Sequence, residues 1–213
     1  INMKKFIIIF DGPPASGKTT RSRILVRKLC CPVIQYRAIG LANFISTVIF
    51  RLTPAFLETN INHIKGDPVL FIKRQVLERI RSIIFLTELL YKFLQTLKLL
   101  IFSLSFKCLI IDEFFILRTA NYINVYLYGG LKKWQVILLM RLDIALLRML
   151  SHIGNLHYTY INRHTNELRR LWYKRSHSKD YPSGKYLMLI QIVWRKNKEI
   201  IYKFAKFINY EDY

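Results

Sequence analysis

The stretch Phe10 to Thr20, FDGPPASGKTT, decides the fold of this chain, and it follows directly on the apolar run FIIIF. It contains the spacing G-x-x-x-x-G-K-T, in which the glycines let the backbone turn tightly and approach a ligand closely. The amide groups of such a loop, with the positive end of the following helix, bind phosphate groups. The apolar strand before the loop and the helical pattern RSRILVRKL after it complete the strand–loop–helix context. The sequence therefore predicts a phosphate-binding loop.

Each part of this loop has a chemical role to fill. The predicted ATP-binding residues are Gly12, Pro13, Pro14, Ala15, Ser16, Gly17, Lys18, Thr19 and Thr20. We expect the Lys18 ammonium to reach the outer phosphates and to neutralise charge in the transition state, and the Thr19 hydroxyl to ligate Mg²⁺. ATP with Mg²⁺ is the predicted ligand, and the loop residues by themselves do not separate ATP from GTP.

A second apolar run, CLIID, ends in Asp112. Mg²⁺ at such a loop takes an acidic partner from a neighbouring strand, so Asp112 is the second predicted metal-site residue, beside Thr19. Glu113 follows directly, and a carboxylate at this place would activate water in a motor-type ATPase. LIIDEF therefore favours hydrolysis, and this alternative stays open.

Short apolar runs alternate with longer helical patterns, which predicts a three-layer α/β/α fold with a five-stranded parallel sheet. The strands are predicted near Lys5–Phe10, Pro32–Tyr36, Lys107–Asp112, Gln135–Met140 and Lys185–Ile190. The helices are predicted near Lys18–Leu29, Ile39–Phe50, Pro68–Phe106 (as two helices), Tyr122–Tyr126, Asp143–Ser151, Ile161–Tyr173 and Asn197–Ile208. Residues 1–213 are predicted to form one domain, with an acceptor-side insertion at about 37–68 and a helical lid region at about 155–184.

The lid prediction depends on the segment INRHTNELRRLWYKR. If this segment is helical, Arg163 and Arg170 lie on one face, with Arg169 close by. A kinase must cover the transferring phosphate with cations and exclude water. The segment therefore predicts that Arg163, Arg169 and Arg170 take part in catalysis, which favours phosphoryl transfer over hydrolysis.

Composition limits the partners and the compartment. There are 34 Lys and Arg against 13 Asp and Glu, a net charge of +21, which favours polyanionic partners and keeps nucleic acid open as one of them. The three cysteines have no metal-ligand spacing, so we expect them to stay reduced in the cytoplasm. The apolar stretch 82–106 carries Glu88, Lys92 and Lys98 on a helical face, which predicts a half-buried helix and no membrane span. A homodimer is left open.

The order GPPASGKTT, then a strand ending in IID, then VILLMRLDIALLRML and an Arg-rich segment resembles the nucleoside-monophosphate kinases, and most closely the thymidylate kinase-like group. The resemblance spans most of the chain and implies a five-stranded sheet, an acceptor region and a lid that closes on ATP. It implies acceptor contacts by Arg37 and Arg118. Where the group carries an Asp-Arg pair after the third strand, this chain has Asp112 and Glu113.

The predicted function is ATP-dependent phosphoryl transfer to a nucleotide or nucleoside-like acceptor. Two alternatives remain: a P-loop ATPase in which Glu113 activates water, and a nucleic-acid-binding protein or polynucleotide 5′-kinase. The sequence does not identify the acceptor.

Overall fold

The computed structural model describes residues 5–35, 74–174 and 184–207. Their strands are β1 (Phe6–Asp11), β2 (Val33–Gln35), β3 (Cys108–Asp112), β4 (Asn155–Tyr160) and β5 (Lys206–Phe207). All pair in parallel, in the order β2-β3-β1-β4-β5. Four of them have three to six residues, whereas β5 is a two-residue segment along the edge of β4. The parallel sheet is thus confirmed, but the fifth full strand of the prediction is not found in the described residues.

Helices connect and cover these strands. They are α1 (Lys18–Leu29), α2 (Arg74–Ser105), α3 (Phe115–Leu127), α4 (Lys133–Ile153), α5 (Thr165–Lys174) and α6 (Gly184–Tyr202). The register of the central strand β1 pairs Phe10 with Asp112 on one side and Asp11 with Tyr160 on the other. The carboxyl ends of three strands therefore meet at one edge, which is the edge where an open parallel sheet builds its binding site.

Apolar side chains fill the space between the sheet and the helices. Strand β1 buries Ile7 and Ile9 in the largest core cluster, together with Leu109 and Ile111 of β3. Helix α3 is buried along most of its length and packs against both α4 and α6. A strand buried on both faces has a near-continuous apolar sequence, which is why FIIIF and CLII were correctly predicted.

Two other apolar runs were assigned to the wrong element. The predicted strand Gln135–Met140 lies inside α4, and the predicted strand Lys185–Ile190 lies inside α6. A short apolar run does not distinguish a buried strand from a buried helix segment, and here each run continues into a helix of about twenty residues. The fourth strand is instead Asn155–Tyr160, so the predicted lid region begins with a strand of the sheet.

The helix predictions differ from the structure mainly at their ends. The predicted helix Pro68–Phe106 is a single helix over its described part, α2. The predicted helix Ile161–Tyr173 begins only at Thr165, and Asn197–Ile208 gives way to a turn and β5 after Tyr202. The predicted helix Ile39–Phe50 and the insertion at about 37–68 lie outside the described residues.

Helix α2 is half-buried, as predicted, but two of its charged residues lie on the buried side. Glu88 and Lys92 are 1% and 4% exposed, while several leucines of the same helix are about half exposed. The buried charges are tolerated because they pair with residues of α3 and α4. None of the described helices combines the length and the apolar character needed to cross a membrane.

The cysteines also differ from the expectation. Cys31 and Cys108 form a disulfide with a Cα–Cα distance of 5.3 Å, which joins the first residue of β3 to a residue two positions before β2. Cys30 is exposed and has a free thiol. The expectation of reduced cysteines is therefore wrong for the pair, because the parallel pairing of β2 with β3 brings together two residues that are 77 apart in sequence. The cytoplasmic location of the protein stays a prediction.

Candidate phosphate-binding site

The loop between β1 and α1 has a backbone that only certain residues can adopt. Gly12 has φ 138° and Gly17 has φ 98°, and Gly17 is the residue that precedes α1. A Cβ on Gly12 would lie 2.5 Å from the carbonyl oxygen of Ile161, so this glycine is required by space as well as by its dihedral angle. The sequence spacing of the two glycines thus corresponds to a tight turn ending at a helix N-terminus, as a phosphate-binding loop requires.

Lys18 is held over this loop. Its ammonium donates hydrogen bonds to the carbonyl oxygens of Gly12 and Pro13, both at 2.9 Å, and the residue is buried. Both acceptors are neutral carbonyls, so an anion reaching the loop would offer this ammonium a stronger partner. The lysine is therefore already positioned where a phosphate group would meet it.

The two predicted metal-site residues come together. The Thr19 hydroxyl donates a hydrogen bond of 2.9 Å to Oδ2 of Asp112, across 93 residues of sequence. The other carboxylate oxygen, Oδ1, is buried without a hydrogen-bond partner in the described part of the chain. A hydroxyl and an unpaired carboxylate oxygen beside a phosphate-binding loop are the hard oxygen ligands that Mg²⁺ prefers, so the residues present fit this ion.

Asp11, the last residue of β1, is a central residue that the sequence reasoning missed. Its fully buried carboxylate accepts hydrogen bonds from the backbone N–H of Gly12 at 2.8 Å and of Ile116 at 2.7 Å, and from the Tyr158 hydroxyl at 2.5 Å. A longer bond of 3.3 Å comes from the N–H of Leu117. Because Ile116 and Leu117 lie in the first turn of α3, Asp11 at the end of β1 caps the N-terminus of that helix.

The same burial changes the acidity of Asp11. Desolvation raises the pKa of its carboxyl group, and the hydrogen bonds from Tyr158 and Ile116 oppose that rise. The pKa of Tyr158 is raised as well, mainly by burial and then by the neighbouring Asp11 charge. The only sequence signal for this role was an acidic residue at the end of an apolar strand, which also describes Asp112. Nothing in the sequence indicated that one carboxylate would accept backbone hydrogen bonds and the other would not.

Of the predicted lid arginines, one reaches the loop. Arg163 lies in the segment between β4 and α5, and its Nε donates a hydrogen bond of 3.0 Å to the carbonyl oxygen of Ser16. It also pairs with Glu167 in the first turn of α5. Arg169 and Arg170 lie on α5 with exposed side chains. Since Arg163 precedes α5, the expectation that Arg163 and Arg170 share a helix face is wrong.

Arg118, a predicted acceptor contact, is buried between α2, α3 and α4. Its guanidinium donates to the Tyr122 hydroxyl at 2.5 Å and lies 3.5 Å from the Glu88 carboxylate. Asp143 adds a second carboxylate, 3.6 Å from Arg118 and 2.5 Å from the Lys92 ammonium. Burial lowers the pKa of Lys92 to about 8, an effect that the Asp143 carboxylate opposes. This polar cluster of two cations, two carboxylates and a tyrosine had no separate signal in the sequence, because its members come from three helices.

Three further predicted residues are Glu113, Thr20 and Arg37. Glu113, directly after β3, is half-buried and has a left-handed backbone with φ 65°, an uncommon conformation for this residue type. Its N–H donates to the carbonyl oxygen of Phe10. Thr20 is exposed in the first turn of α1. Arg37 lies outside the described residues.

Comparison with solved structures shows where this fold occurs. Two structures of deoxyadenosine kinase from M. mycoides match the chain, one with the products dCMP and dCDP and one with bound dATP. Both have a TM-score of 0.52 and cover 95% of this chain and 90% of the kinase chain, at 12% and 13% sequence identity respectively. Thymidylate kinase from Candida albicans matches with a TM-score of 0.52 at 14% identity, over 96% of this chain and 83% of the other.

Comparisons at the level of sequence found no relative: no protein-family model matches the chain, and no curated protein matches it. The structural likeness therefore concerns the fold. The chain has the fold of the P-loop kinases of the nucleoside-monophosphate kinase type, as the resemblance in the sequence had predicted.

Proposed function

We propose that the chain is a P-loop kinase that transfers the γ-phosphate of ATP to a nucleotide or nucleoside-like acceptor. The observation that carries the proposal is the contact of Arg163 with the phosphate-binding loop, at the carbonyl oxygen of Ser16. It brings a cation from the segment after β4 to a loop that already holds Lys18, and a transferring phosphate needs cations on more than one side. A loop that only held phosphate would not need the second cation.

The chemistry assigned to the residues is positioning and charge stabilisation. The loop amides from Gly12 to Thr19 would bind the phosphate chain, and Lys18 would exchange its carbonyl partners for phosphate oxygens. Thr19 and Asp112 would hold Mg²⁺, which neutralises phosphate charge when bound. Arg163, with Arg169 or Arg170 on α5, would cover the γ-phosphate.

The acceptor site is proposed on the side of α2 and α3. The buried cluster around Arg118 begins one turn into α3, close in sequence to Asp112, and contains polar groups that an acceptor could use. Thr119 Oγ1 in this region is buried without a hydrogen bond among the described residues. Arg118 and Arg37 remain the proposed acceptor contacts. A deoxynucleoside or its monophosphate is the acceptor class we favour, because one structural neighbour, the deoxyadenosine kinase, is described with dCMP and dCDP as products and with bound dATP.

One observation favours the ATPase alternative. Glu113 keeps a left-handed backbone directly after the proposed metal residue Asp112, and such strained residues are concentrated at functional sites. If Glu113 activates water, the chain hydrolyses ATP steadily without an acceptor, and Glu113→Gln abolishes that hydrolysis. A kinase shows little hydrolysis until its acceptor is added.

The test is an acceptor screen with Mg-ATP in which ADP release is measured. Nucleosides, nucleoside monophosphates and 5′-hydroxyl oligonucleotides form separate arms, and the oligonucleotide arm tests the partner suggested by the net charge of +21. We expect ADP release to depend on a nucleoside or nucleotide and to disappear in Lys18→Ala. Acceptor-independent release that is lost in Glu113→Gln would replace the kinase with the ATPase.

A further inference from the structure

A cavity lies between the first residues of α2 and the turn that joins α3 to α4. Its volume is about 400 Å³, which is within the range of small-molecule sites. Its polar lining consists of Arg74, Glu78, Arg81, Lys132 and Lys133, and Tyr126 contributes an aromatic ring. Helix α3 begins beside Asp11, and Leu127 at the other end of this helix lines the cavity. About 16 Å of helix therefore separates the cavity from the phosphate-binding loop.

The wall of this cavity is formed by close packing of the α3–α4 turn against α2. Gly129 in the turn has φ 89°, and a Cβ at this position would lie 3.2 Å from Cγ of Glu78. A glycine is therefore favoured here both by its dihedral angle and by the short distance to α2. Leu131 of the same turn is buried in one apolar cluster with Leu77 of α2. The backbone segments that carry the charged residues are thus held together by the apolar core beneath them.

Cations outnumber carboxylates in the lining of the cavity. Glu78 is the one carboxylate among the described lining residues, and it is already paired with Arg74 at 3.0 Å. Within the described part of the chain, no carboxylate lies within ion-pair distance of Arg81, Lys132 or Lys133. Four cations and one carboxylate leave the lining with a net charge of +3. A diphosphate group carries about −3 at neutral pH, so its charge is complementary to this lining.

Two of these cations lie where the helix itself disfavours positive charge. Helix α4 begins at Lys133, Lys132 precedes it, and its first turn contains no acidic residue. The N-terminus of a helix carries a partial positive charge and presents backbone N–H groups that have no partner within the helix. Like charges therefore meet at the start of α4, and a bound anion would relieve their repulsion. Conflicts of this kind between sequence and local structure are typical of functional sites.

We propose that this cavity binds the diphosphate or triphosphate group of a small molecule, at a site separate from the phosphate-binding loop. Arg74 and Arg81 bind the phosphate oxygens from α2, and Lys132 and Lys133 bind them from the start of α4. The ring of Tyr126, which is 41% exposed, contacts the organic part of a ligand that has one. The proposal is independent of the proposed function, because none of these residues belongs to the loop, the metal site or the buried polar cluster.

Titration calorimetry of the full chain with pyrophosphate, in a Lys18→Ala background and without divalent cations, gives the first test. We expect pyrophosphate to bind although the loop has lost its cation. Adding Lys132→Gln and Lys133→Gln removes two of the four cations and should raise the dissociation constant at least a hundredfold. The matched control adds Arg141→Gln and Arg148→Gln, which remove the same charge from exposed positions further along α4 and should leave the affinity unchanged. A deoxynucleoside diphosphate replaces pyrophosphate in a second arm, where tighter binding indicates a nucleotide ligand and equal or weaker binding indicates free pyrophosphate.

Lysine acetylation followed by mass spectrometry tests the site in the wild-type chain, so it does not depend on the folding of any variant. Pyrophosphate should slow the acetylation of Lys132 and Lys133 several-fold and leave that of Lys98, exposed on α2, unchanged. Equal acetylation of the two lysines with and without pyrophosphate overturns the proposal. So does calorimetry in which the lysine pair can be replaced without loss of binding. An equal loss in the control that lacks Arg141 and Arg148 also overturns it, because pyrophosphate would then respond only to the net charge of +21.

Discussion

Replacing Asp11 by asparagine tests whether this carboxylate holds the loop, α3 and β4 together. Oδ1 accepts from the N–H groups of Gly12 and Leu117, and Oδ2 accepts from the N–H of Ile116 and the Tyr158 hydroxyl. An amide has one acceptor oxygen, so either orientation of the asparagine turns its NH₂ group toward a buried backbone N–H. Leaving a buried donor without an acceptor costs about 1–3 kcal/mol. Removing the desolvated charge offsets part of that loss, so we expect the free energy of unfolding to fall by about 1–2 kcal/mol.

Asp112→Asn is the matched control, since Asp112 ends the neighbouring strand and is equally buried. There the asparagine oxygen can still accept from Thr19, and Oδ1 of Asp112 has no donor to lose among the described residues. We expect this variant to unfold at the same urea concentration as the wild type or a higher one, and to lose Mg²⁺-dependent activity.

Urea unfolding followed by circular dichroism measures both variants, with Tyr158→Phe as a partial version that removes one donor. The reasoning is refuted if Asp11→Asn is as stable as the wild type, or if Asp112→Asn is the more destabilised of the two. Either result would mean that the carboxylate at position 11 does not cap α3.

Three further predictions concern single residues. Burial lowers the pKa of Lys92 to about 8 from its ordinary value of 10.5, so between these pH values the unfolded chain holds the Lys92 proton and the folded chain releases it. The free energy of unfolding should therefore rise with pH, by about 1.5 kcal/mol from pH 8 to 9.5. The control is Lys92→Met, which should not show this rise in the same buffers. Gly12→Ala should lower the melting temperature and abolish ATP binding, because the new Cβ meets the Ile161 carbonyl, whereas Gly184→Ala, with open space around it, should change neither measurement. Arg163→Gln should lower kcat at least tenfold with little change in ATP affinity, and an equal loss of both would indicate a binding role.

The sequence predicted the part of the fold that local pattern determines. The strand before the loop, the glycines, α1 and the carboxylate at the end of β3 were all correctly placed, because each is encoded by adjacent residues. The pairing of Thr19 with Asp112 was predicted because Mg²⁺ at such a loop takes an acidic partner from a neighbouring strand.

The wrong predictions concern residues whose structure depends on contacts with distant parts of the chain. The apolar runs VILLM and KYLMLI are compatible with a buried strand or with a buried helix segment. They are helical in the structure, where their helices pack against α3. The burial of Glu88 and Lys92 had no signal in the local sequence, because it is made tolerable by the partners Tyr122 and Asp143, which belong to other helices. Asp11 and Asp112 have the same local sequence context, and their different roles come from α3 and α1.

The central claim is that this loop transfers phosphate to an acceptor. The most direct measurement follows the labelled γ-phosphate of ATP, in the presence of a deoxynucleoside or deoxynucleoside monophosphate that passes the screen, and determines how it divides between acceptor and inorganic phosphate. The account predicts that nearly all label is recovered in the acceptor, and that Lys18→Ala transfers none. Label recovered as inorganic phosphate at the same rate with and without acceptor would contradict it.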